Sequence, residues 1–261
     1  MRKIIKTALA STAFAAAFAA APAFADETPA VTVTGSAAVV TEYSLRGISQ
    51  SNLDPAVQAG LTLSTAPGFY VGTWASSLAG NGTWGGSNME LDLIAGYTKA
   101  VGAATLDGGV VYYVYPGTTH HDYVEVYGSV SGKVGPVNAK LGTYWAPPQK
   151  NLTGFGPSKG NNIWVYTDLG LPIPNTPLTL KGHVGYSSGD SIYTLGQDVI
   201  DYGIGADITF SKLTLNVSYV GTDMNKTFAD AYYSNLGPAF GYEPGHKLTR
   251  GRVVASLTAA F

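Results

Sequence analysis

The four histidines are the side chains of this chain best suited to metal binding or acid–base catalysis. His120, His121 and Asp122 are adjacent, and imidazole and carboxylate groups suit divalent ions. They lie in a Gly/Thr stretch with no third ligand at a useful spacing, so no metal site is predicted. His183 stands two residues after Lys181 on the polar face of a predicted strand. We interpret it as a polar wall group rather than a catalytic base.

The sequence gives little support for other catalytic chemistry. No G-x-S-x-G nucleophile motif stands near any histidine. Gly102, Gly108 and Gly109 form no phosphate-binding loop, because no helix is predicted after them. The absence of Cys excludes both a disulfide scaffold and a cysteine-ligated metal. We therefore predict no catalytic residue, no cofactor and no enzymatic activity.

Composition points to a sheet protein that faces something other than water. Only 12% of the 261 residues are charged, and the chain contains 33 Gly and 17 Tyr. Globular proteins usually carry about 25% charged residues. Disordered chains are poor in aromatics and rich in charge, so disorder is excluded.

The amino terminus predicts export. Arg2, Lys3 and Lys6 precede an Ala-rich apolar run, and Ala23-Phe24-Ala25 is a small-x-small cleavage pattern. We predict a Sec-type signal peptide over 1–25, cleaved near Ala25, and a single domain over 26–261. Cleavage leaves 12 of the 15 basic residues against 17 acidic ones, a net charge of −5. Nucleic acid is therefore not an expected partner, since binding it needs a basic surface.

Many stretches of about ten residues alternate in polarity, which is typical of strands with two different faces. In the segment 213–222, for example, Leu213, Leu215 and Val217 alternate with Thr214 and Asn216. The predicted strands are 37–46, 56–65, 69–77, 89–98, 104–115, 123–131, 137–146, 162–170, 178–187, 199–210, 213–222 and 249–261.

The connections between these strands alternate between short turns and mostly longer loops, as in outer-membrane barrels. Tyr43, Trp145, Tyr186, Tyr202 and Tyr219 are predicted on the apolar face near the long-loop end. Phe69, Tyr97, Phe210 and Phe261 are predicted on the same face near the other end, so the two sets form aromatic girdles. The predicted fold is an all-β, transmembrane, antiparallel up-and-down barrel of about twelve strands. It has short periplasmic turns and long extracellular loops.

The polar faces of the predicted strands carry nearly all the strand charges. An even strand number returns both termini to the periplasm, and twelve strands predict a narrow lumen. The predicted pore-lining residues are Glu42, Arg46, Glu90, Asp92, Asp107, Glu125, Lys140, Asp168, Lys181, His183, Asp201, Asp207, Arg250 and Arg252. Their excess of acids suggests a slight cation preference. We interpret Arg46 and Glu42 as a lumenal ion pair that fixes the rim; direct contact of Arg46 with solute is the alternative.

Several short motifs resemble the TorF family of proposed porins, a proteobacterial outer-membrane family formerly of unknown function. They are YSLRGISQS at 43–51, DPAVQ at 54–58, Gly60, GFYVG at 68–72, WAS at 74–76, ELD at 90–92 and GY at 96–97. After about residue 100 the likeness is mostly one of strand pattern and Tyr/Gly usage. The resemblance implies a barrel in the outer membrane of a Gram-negative bacterium, and it supplies no catalytic residues.

Three functions follow from these patterns. The first is a passive channel for small hydrophilic solutes or ions, with a narrow charged lumen and outer-membrane lipid around it. The second is a non-conducting structural or surface-binding barrel that acts through its extracellular loops. An outer-membrane enzyme is the weakest of the three, for want of a site. In each case Phe261, which ends an alternating strand, resembles the signal read by the barrel-assembly machinery.

Overall fold

The computed structural model describes residues 30–79, 86–118, 121–153, 159–234 and 243–261. The predicted signal peptide over 1–25 lies outside these residues. The strands are β1 (Val31–Val40), β2 (Ser44–Leu45), β3 (Ile48–Ser49), β4 (Ala56–Thr65), β5 (Phe69–Ser77), β6 (Met89–Val101), β7 (Ala104–Val114), β8 (Tyr123–Val134), β9 (Val137–Gln149), β10 (Gly160–Pro172), β11 (Leu178–Ser188), β12 (Val199–Phe210), β13 (Leu213–Thr222) and β14 (Arg252–Ala260). A 3₁₀ turn covers Lys150–Leu152, and the helices are α1 (Lys226–Tyr233) and α2 (Gly245–Thr249).

Twelve of the strands form one closed antiparallel barrel, in the order β1-β14-β13-β12-β11-β10-β9-β8-β7-β6-β5-β4. The first and last strands close it, with Ser36 opposite Ala260 and Val40 opposite Ser256. Every other barrel strand pairs with its neighbours in sequence order, apart from the pairing of β1 with β4 across the loop that holds β2 and β3. The predicted closed antiparallel barrel is confirmed.

Most predicted strand bounds lie within a few residues of the observed ones, and the exceptions are the two strands that close the barrel. The first strand was predicted over 37–46 but covers Val31–Val40. The residues that follow turn into the barrel as the hairpin of β2 and β3, which form a separate two-stranded sheet. Alternation alone misplaced the strand, because polar and apolar residues continue to alternate in the hairpin after β1 has ended. The last strand was predicted over 249–261 and begins at Arg252, after helix α2.

The outward face of the barrel is apolar along its whole circumference. Val57 on β4, Leu93 on β6 and Val217 on β13 are 61%, 49% and 47% exposed. Continuous exposed apolar surface of this kind marks contact with lipid or another apolar partner. None of the helices in the described ranges is long and apolar enough to cross a membrane.

Aromatic side chains stand on this outward face near both ends of the strands. Trp145, Tyr186 and Tyr219 are exposed towards the long-loop end. Phe69, Tyr97, Phe210 and Phe261 are exposed towards the short-turn end. The prediction that Tyr43 belongs to the first set is wrong, because Tyr43 follows β1 and is buried inside the barrel.

The core of the molecule lies inside the barrel, at the long-loop end. It contains Leu45 and Ile48 from the β2–β3 hairpin and Tyr193 from the β11–β12 connection. It also contains Tyr233 of α1, whose hydroxyl donates to the carbonyl of Ile192 at 2.6 Å. Three of the long connections therefore fold back over or into the barrel and fill its end.

Candidate functional site in the barrel lumen

The lumen at the long-loop end is built around the carboxylates of Glu90 on β6 and Glu125 on β8, neither of which is exposed to solvent. The hydroxyls of Tyr43 and Tyr115 donate to Glu90, one to each carboxylate oxygen, at 2.9 and 3.0 Å. The hydroxyl of Tyr113 donates to Glu125 at 2.9 Å. Buried carboxylates need such donors, because burying an unpaired charge is costly.

Arg46 at the tip of the β2–β3 hairpin supplies the positive charge of this cluster. Its Nη2 donates to both oxygens of Glu125, at 2.8 and 2.7 Å. The guanidinium carbon lies 4.9 Å from the ring centroid of Trp164 and 4.6 Å from that of Tyr193. Cations over aromatic faces are attracted by the ring quadrupole, so the hairpin tip is held by charge and by stacking together.

The predicted ion pair between Arg46 and Glu42 is wrong. Glu42 instead accepts hydrogen bonds from Nε of Arg252 on β14, at 2.7 and 2.6 Å. The prediction placed both residues on one strand, two side chains apart. The hairpin turn separates them, so that Glu42 stays near the barrel seam and Arg46 reaches β8.

Burial sets the protonation of the groups that the loops bring into the lumen. Burial, reinforced by Glu90, raises the pKa of Tyr43 well above its ordinary value. Burial likewise raises the pKa of Tyr193. Burial opposes the charge of Arg46, but the adjacent Glu125 raises the pKa of the guanidinium overall. The tyrosines are therefore neutral donors, and Arg46 remains a cation.

His183 joins three strands in the middle of the wall. Its Nδ1 lies 2.6 Å from Oδ1 of Asp168 on β10, and its Nε2 lies 2.7 Å from Oδ1 of Asp201 on β12. The indole Nε1 of Trp164 donates to the other oxygen of Asp201 at 2.8 Å. A carboxylate can only accept, so a ring that bonds two carboxylates donates from both nitrogens and is an imidazolium. Both nitrogens are thus occupied, and neither is free to act as a base.

Nearer the short-turn end the wall is polar and partly open to water. Lys181 and Asp207 form an ion pair at 3.5 Å, and Asn216 donates to Asp207 at 2.6 Å. Tyr70 donates to Asp107 at 2.7 Å. Lys140 is partly buried on β9, with its amine 5.6 Å from the ring centroid of Tyr166.

Arg250 differs from the other predicted wall residues. It caps the carboxyl end of α2, two residues before β14 begins, and it is exposed. Its assignment to the polar face of a strand is therefore wrong, because the strand starts later than the alternation suggested.

His120, His121 and Asp122 were considered above as a metal site, and His120 lies outside the described residues. Asp122 instead closes its own loop, since it accepts from the backbone N–H of Tyr115 at 2.9 Å and from Tyr112 at 3.2 Å. Among the described residues, no group of three or more His, Asp or Glu side chains could hold a metal ion.

The inward tyrosines were missed by the sequence analysis. Tyr113 and Tyr123 stack with ring centroids 4.3 Å apart, and Tyr144 packs 5.7 Å from Trp164. The sequence could have revealed them, because Tyr123 lies two residues before Glu125 on the same strand and therefore faces the lumen with it. Aromatics were assigned to the outward face, whereas here a sealed interior also needs large, rigid side chains with a polar tip.

Comparison with known proteins places the chain in a family. Residues 24–249 match the model of a family described as "Bacterial protein of unknown function (Gcw_chp)", so the chain belongs to that family. No curated protein matches the sequence. The fold is similar to that of the NanC porin (TM-score 0.56, 10% identity) and the KdgM porin (TM-score 0.54, 9% identity), each match covering 87% of this chain and 99% of the other. At such low identity the likeness shows the fold alone: a closed antiparallel β-barrel of the kind found in those porins. The TorF name inferred from the motifs remains a prediction.

Proposed function

We propose that this member of the Gcw_chp family is an outer-membrane, porin-like channel for the passive diffusion of small hydrophilic solutes or ions. In this proposal the mature protein is a single barrel over 26–261, released by Sec-type cleavage near Ala25. It is inserted in the outer membrane of a Gram-negative bacterium, with its long loops outside. The TorF resemblance supports the same function.

One observation carries the proposal: a closed barrel is apolar outside and charged inside. On β13, Val217 is exposed on the outward face while its neighbour Asn216 bonds Asp207 inside. Closure satisfies every strand's backbone groups, which lipid requires. The inner wall carries charged side chains, among them Lys140, Lys181, Asp107 and Asp207. Charged groups are costly in a sealed apolar core, whereas they suit a lumen that polar solutes pass through.

The expected partners follow from this placement. Membrane lipid surrounds the apolar belt, the barrel-assembly machinery reads Phe261 during insertion, and small hydrophilic solutes or ions occupy the lumen. The proposal includes no nucleic acid, no cofactor and no enzymatic step.

A second candidate is a non-conducting barrel that acts through its long loops. The observation that favours it is the dryness of the long-loop half, where Glu90, Asp92 and Glu125 are all 0% exposed. Water-filled pores wet their wall residues, so this half is closed in the conformation described.

Solute flux separates the two candidates. Purified, refolded protein and a variant in which 42–54 is replaced by a short Gly/Ser linker are reconstituted for liposome swelling and planar-bilayer recording. A conducting barrel gives single-channel openings in the wild-type protein, while the linker variant shows that the reconstituted barrel can conduct and unfolded protein is the control. No openings from folded wild-type protein would establish the non-conducting candidate.

A further inference from the structure

The β2–β3 hairpin, defined here by residues 42–51, lies inside the barrel rather than over it. All of its residues are buried, and Leu45 and Ile48 are only 2% exposed. The ring of Tyr43 packs edge-on against Trp74 of β5, with centroids 5.3 Å apart. An extracellular loop would be exposed at this position; this one is packed like a core segment.

The hairpin touches opposite sides of the barrel. Near the seam, Glu42 bonds Arg252 of β14, and Gly47 abuts Gly221 and Thr222 of β13. On the far side, Arg46 reaches Glu125 of β8. In the circular strand order β8 lies about half-way round from β1, so the hairpin crosses the lumen from wall to wall. A segment that spans the lumen and leaves the wall dry blocks passage.

The turn of the hairpin is held in an unusual backbone conformation. Arg46 has a φ of 50° and Gly47 a φ of 74°. Positive φ at both central positions is the type I′ geometry of tight hairpins, which Gly accepts freely but Arg does not. Such strain persists only where surrounding contacts impose it, and it concentrates at switch regions. The bond of Arg46 to Glu125 is one of the contacts that hold the residue in this conformation.

The blocked state also leaves buried polar groups without partners. Nε and Nη1 of Arg46, and both carboxylate oxygens of Asp92 on β6, are buried and make no hydrogen bond in the described part of the chain. Orphaned buried polar groups are destabilising, and exposure to water would satisfy them. Movement of the hairpin out of the lumen would therefore hydrate these polar groups, although it would lose the packing of the hairpin. The gain offsets part of the loss, so the blocked and open states differ less in free energy than packing alone implies.

We propose that the β2–β3 hairpin is a built-in gate, closed in the structure described and latched by Arg46 against Glu125. Movement of the hairpin out of the long-loop end wets Glu90, Asp92 and Glu125 and opens the channel. The gate rests on the proposed channel function, and the test separates the failure of one from the failure of the other.

The first test compares conductance across five proteins in planar bilayers: wild type, Glu125→Gln, Gly47→Ala, the control Gly102→Ala and the linker variant that lacks 42–54. Glu125→Gln weakens the latch. A Cβ on Gly47 would lie 2.5 Å from both the Gly221 carbonyl oxygen and Thr222 Cγ2, so Gly47→Ala wedges the hairpin off β13. Gly102→Ala is the matched control, since Gly102 also has a positive φ (61°) but nothing lies within 4 Å of an added Cβ.

The gate predicts low conductance in wild type and Gly102→Ala, several-fold higher open probability in Glu125→Gln and Gly47→Ala, and the highest open probability in the linker variant. Equal conductance in wild type and the linker variant would overturn the gate and leave the channel intact. No conductance in any of them would sink both the channel and its gate. Heat-modifiable migration on gels checks that each variant is folded.

A second test does not depend on latch variants that fold poorly. The chain contains no Cys, so Leu45→Cys introduces a single thiol on the hairpin, at a position that is 2% exposed in the closed barrel. A water-soluble maleimide is expected to label this thiol in the folded protein, because the hairpin exposes it each time the gate opens. A thiol that stays unlabelled in folded, conducting protein contradicts a moving hairpin.

Discussion

Arg46 and Glu125 are 79 residues apart in sequence, and they form a buried ion pair at 2.7 Å. The side chains of the two residues are 3% and 0% exposed. The pair joins the β2–β3 hairpin to the opposite wall of the barrel. The same contact therefore keeps the hairpin in the lumen and contributes to the stability of the folded barrel.

Removal of one partner from this pair is expected to destabilise the closed state strongly. Glu125→Gln leaves a buried guanidinium without its counter-charge, which costs the closed state about 3–5 kcal/mol, and release of the hairpin keeps the loss of global stability below that figure. Urea unfolding followed by Trp fluorescence measures it, and Trp164 lies directly beneath the guanidinium. The matched control is Glu243→Gln, which breaks the exposed pair with Lys247 and is expected to cost less than about 1 kcal/mol. Equal losses for the two variants would show that Arg46 is solvated rather than buried.

Charge on the outward face is expected to impair insertion. Val217→Arg places a cation against lipid near the middle of β13 and is expected to cost roughly 2–4 kcal/mol. Asn216→Arg is the control, because the same side chain one residue earlier points inward and can still donate to Asp207. Folding into lipid vesicles, assayed by heat-modifiable migration, should fail selectively for Val217→Arg. The reverse order would mean that the faces of β13 are assigned the wrong way round.

Phe261 is expected to matter for assembly rather than for stability. Its ring is exposed, while its backbone pairs with Gly35 through hydrogen bonds of 2.8 and 2.9 Å that any residue could make. Phe261→Ala should therefore lower the amount of folded protein in the outer membrane and leave refolding in detergent unchanged. Phe210→Ala removes an equally exposed ring at the same end of the barrel and serves as the control. If both variants assemble equally well, Phe261 carries no signal.

The lumen charges predict the ion preference of the open channel. Asp207→Lys places a second cation beside Lys181 on the lumen wall and should shift the reversal potential in a salt gradient towards anions. Asp198→Lys makes the same charge change in an exposed loop and should shift it little. The recordings use the linker variant, which removes gating from the comparison. An unshifted potential for Asp207→Lys removes Asp207 from the conduction path.

Acid is expected to loosen the contact between α1 and α2. Hydrogen bonds from the backbone N–H and the ring of His246, at 2.9 and 2.7 Å, lower the pKa of Asp230. A carboxyl whose pKa is lowered on folding stabilises the fold above its unfolded pKa of about 3.9 and loses that contribution as the pH falls further. The protection factors of the α1 amides, which are corrected for the intrinsic pH dependence of exchange, should therefore fall below about pH 4. Asp230→Asn should show no such acid dependence, and a wild-type profile identical to it argues against the contact.

The sequence alone determined the barrel, and it did so through local physics. Side chains alternate along a strand whatever its neighbours are, so Leu213, Leu215 and Val217 marked their face without any knowledge of the sheet. Turn residues marked the connections in the same way, and the bounds of β4, β5, β12 and β13 were predicted as observed.

Only the tertiary structure decided what fills the lumen. The pairing of Arg46 with Glu125, of Glu42 with Arg252, and of His183 with both Asp168 and Asp201 depends on which strands closure brings together. Alternation is also the same for a strand in the wall and for a hairpin packed against its inside. The sequence therefore showed that Tyr43, Leu45 and Arg46 alternate, and the closed barrel decided that they cross its interior.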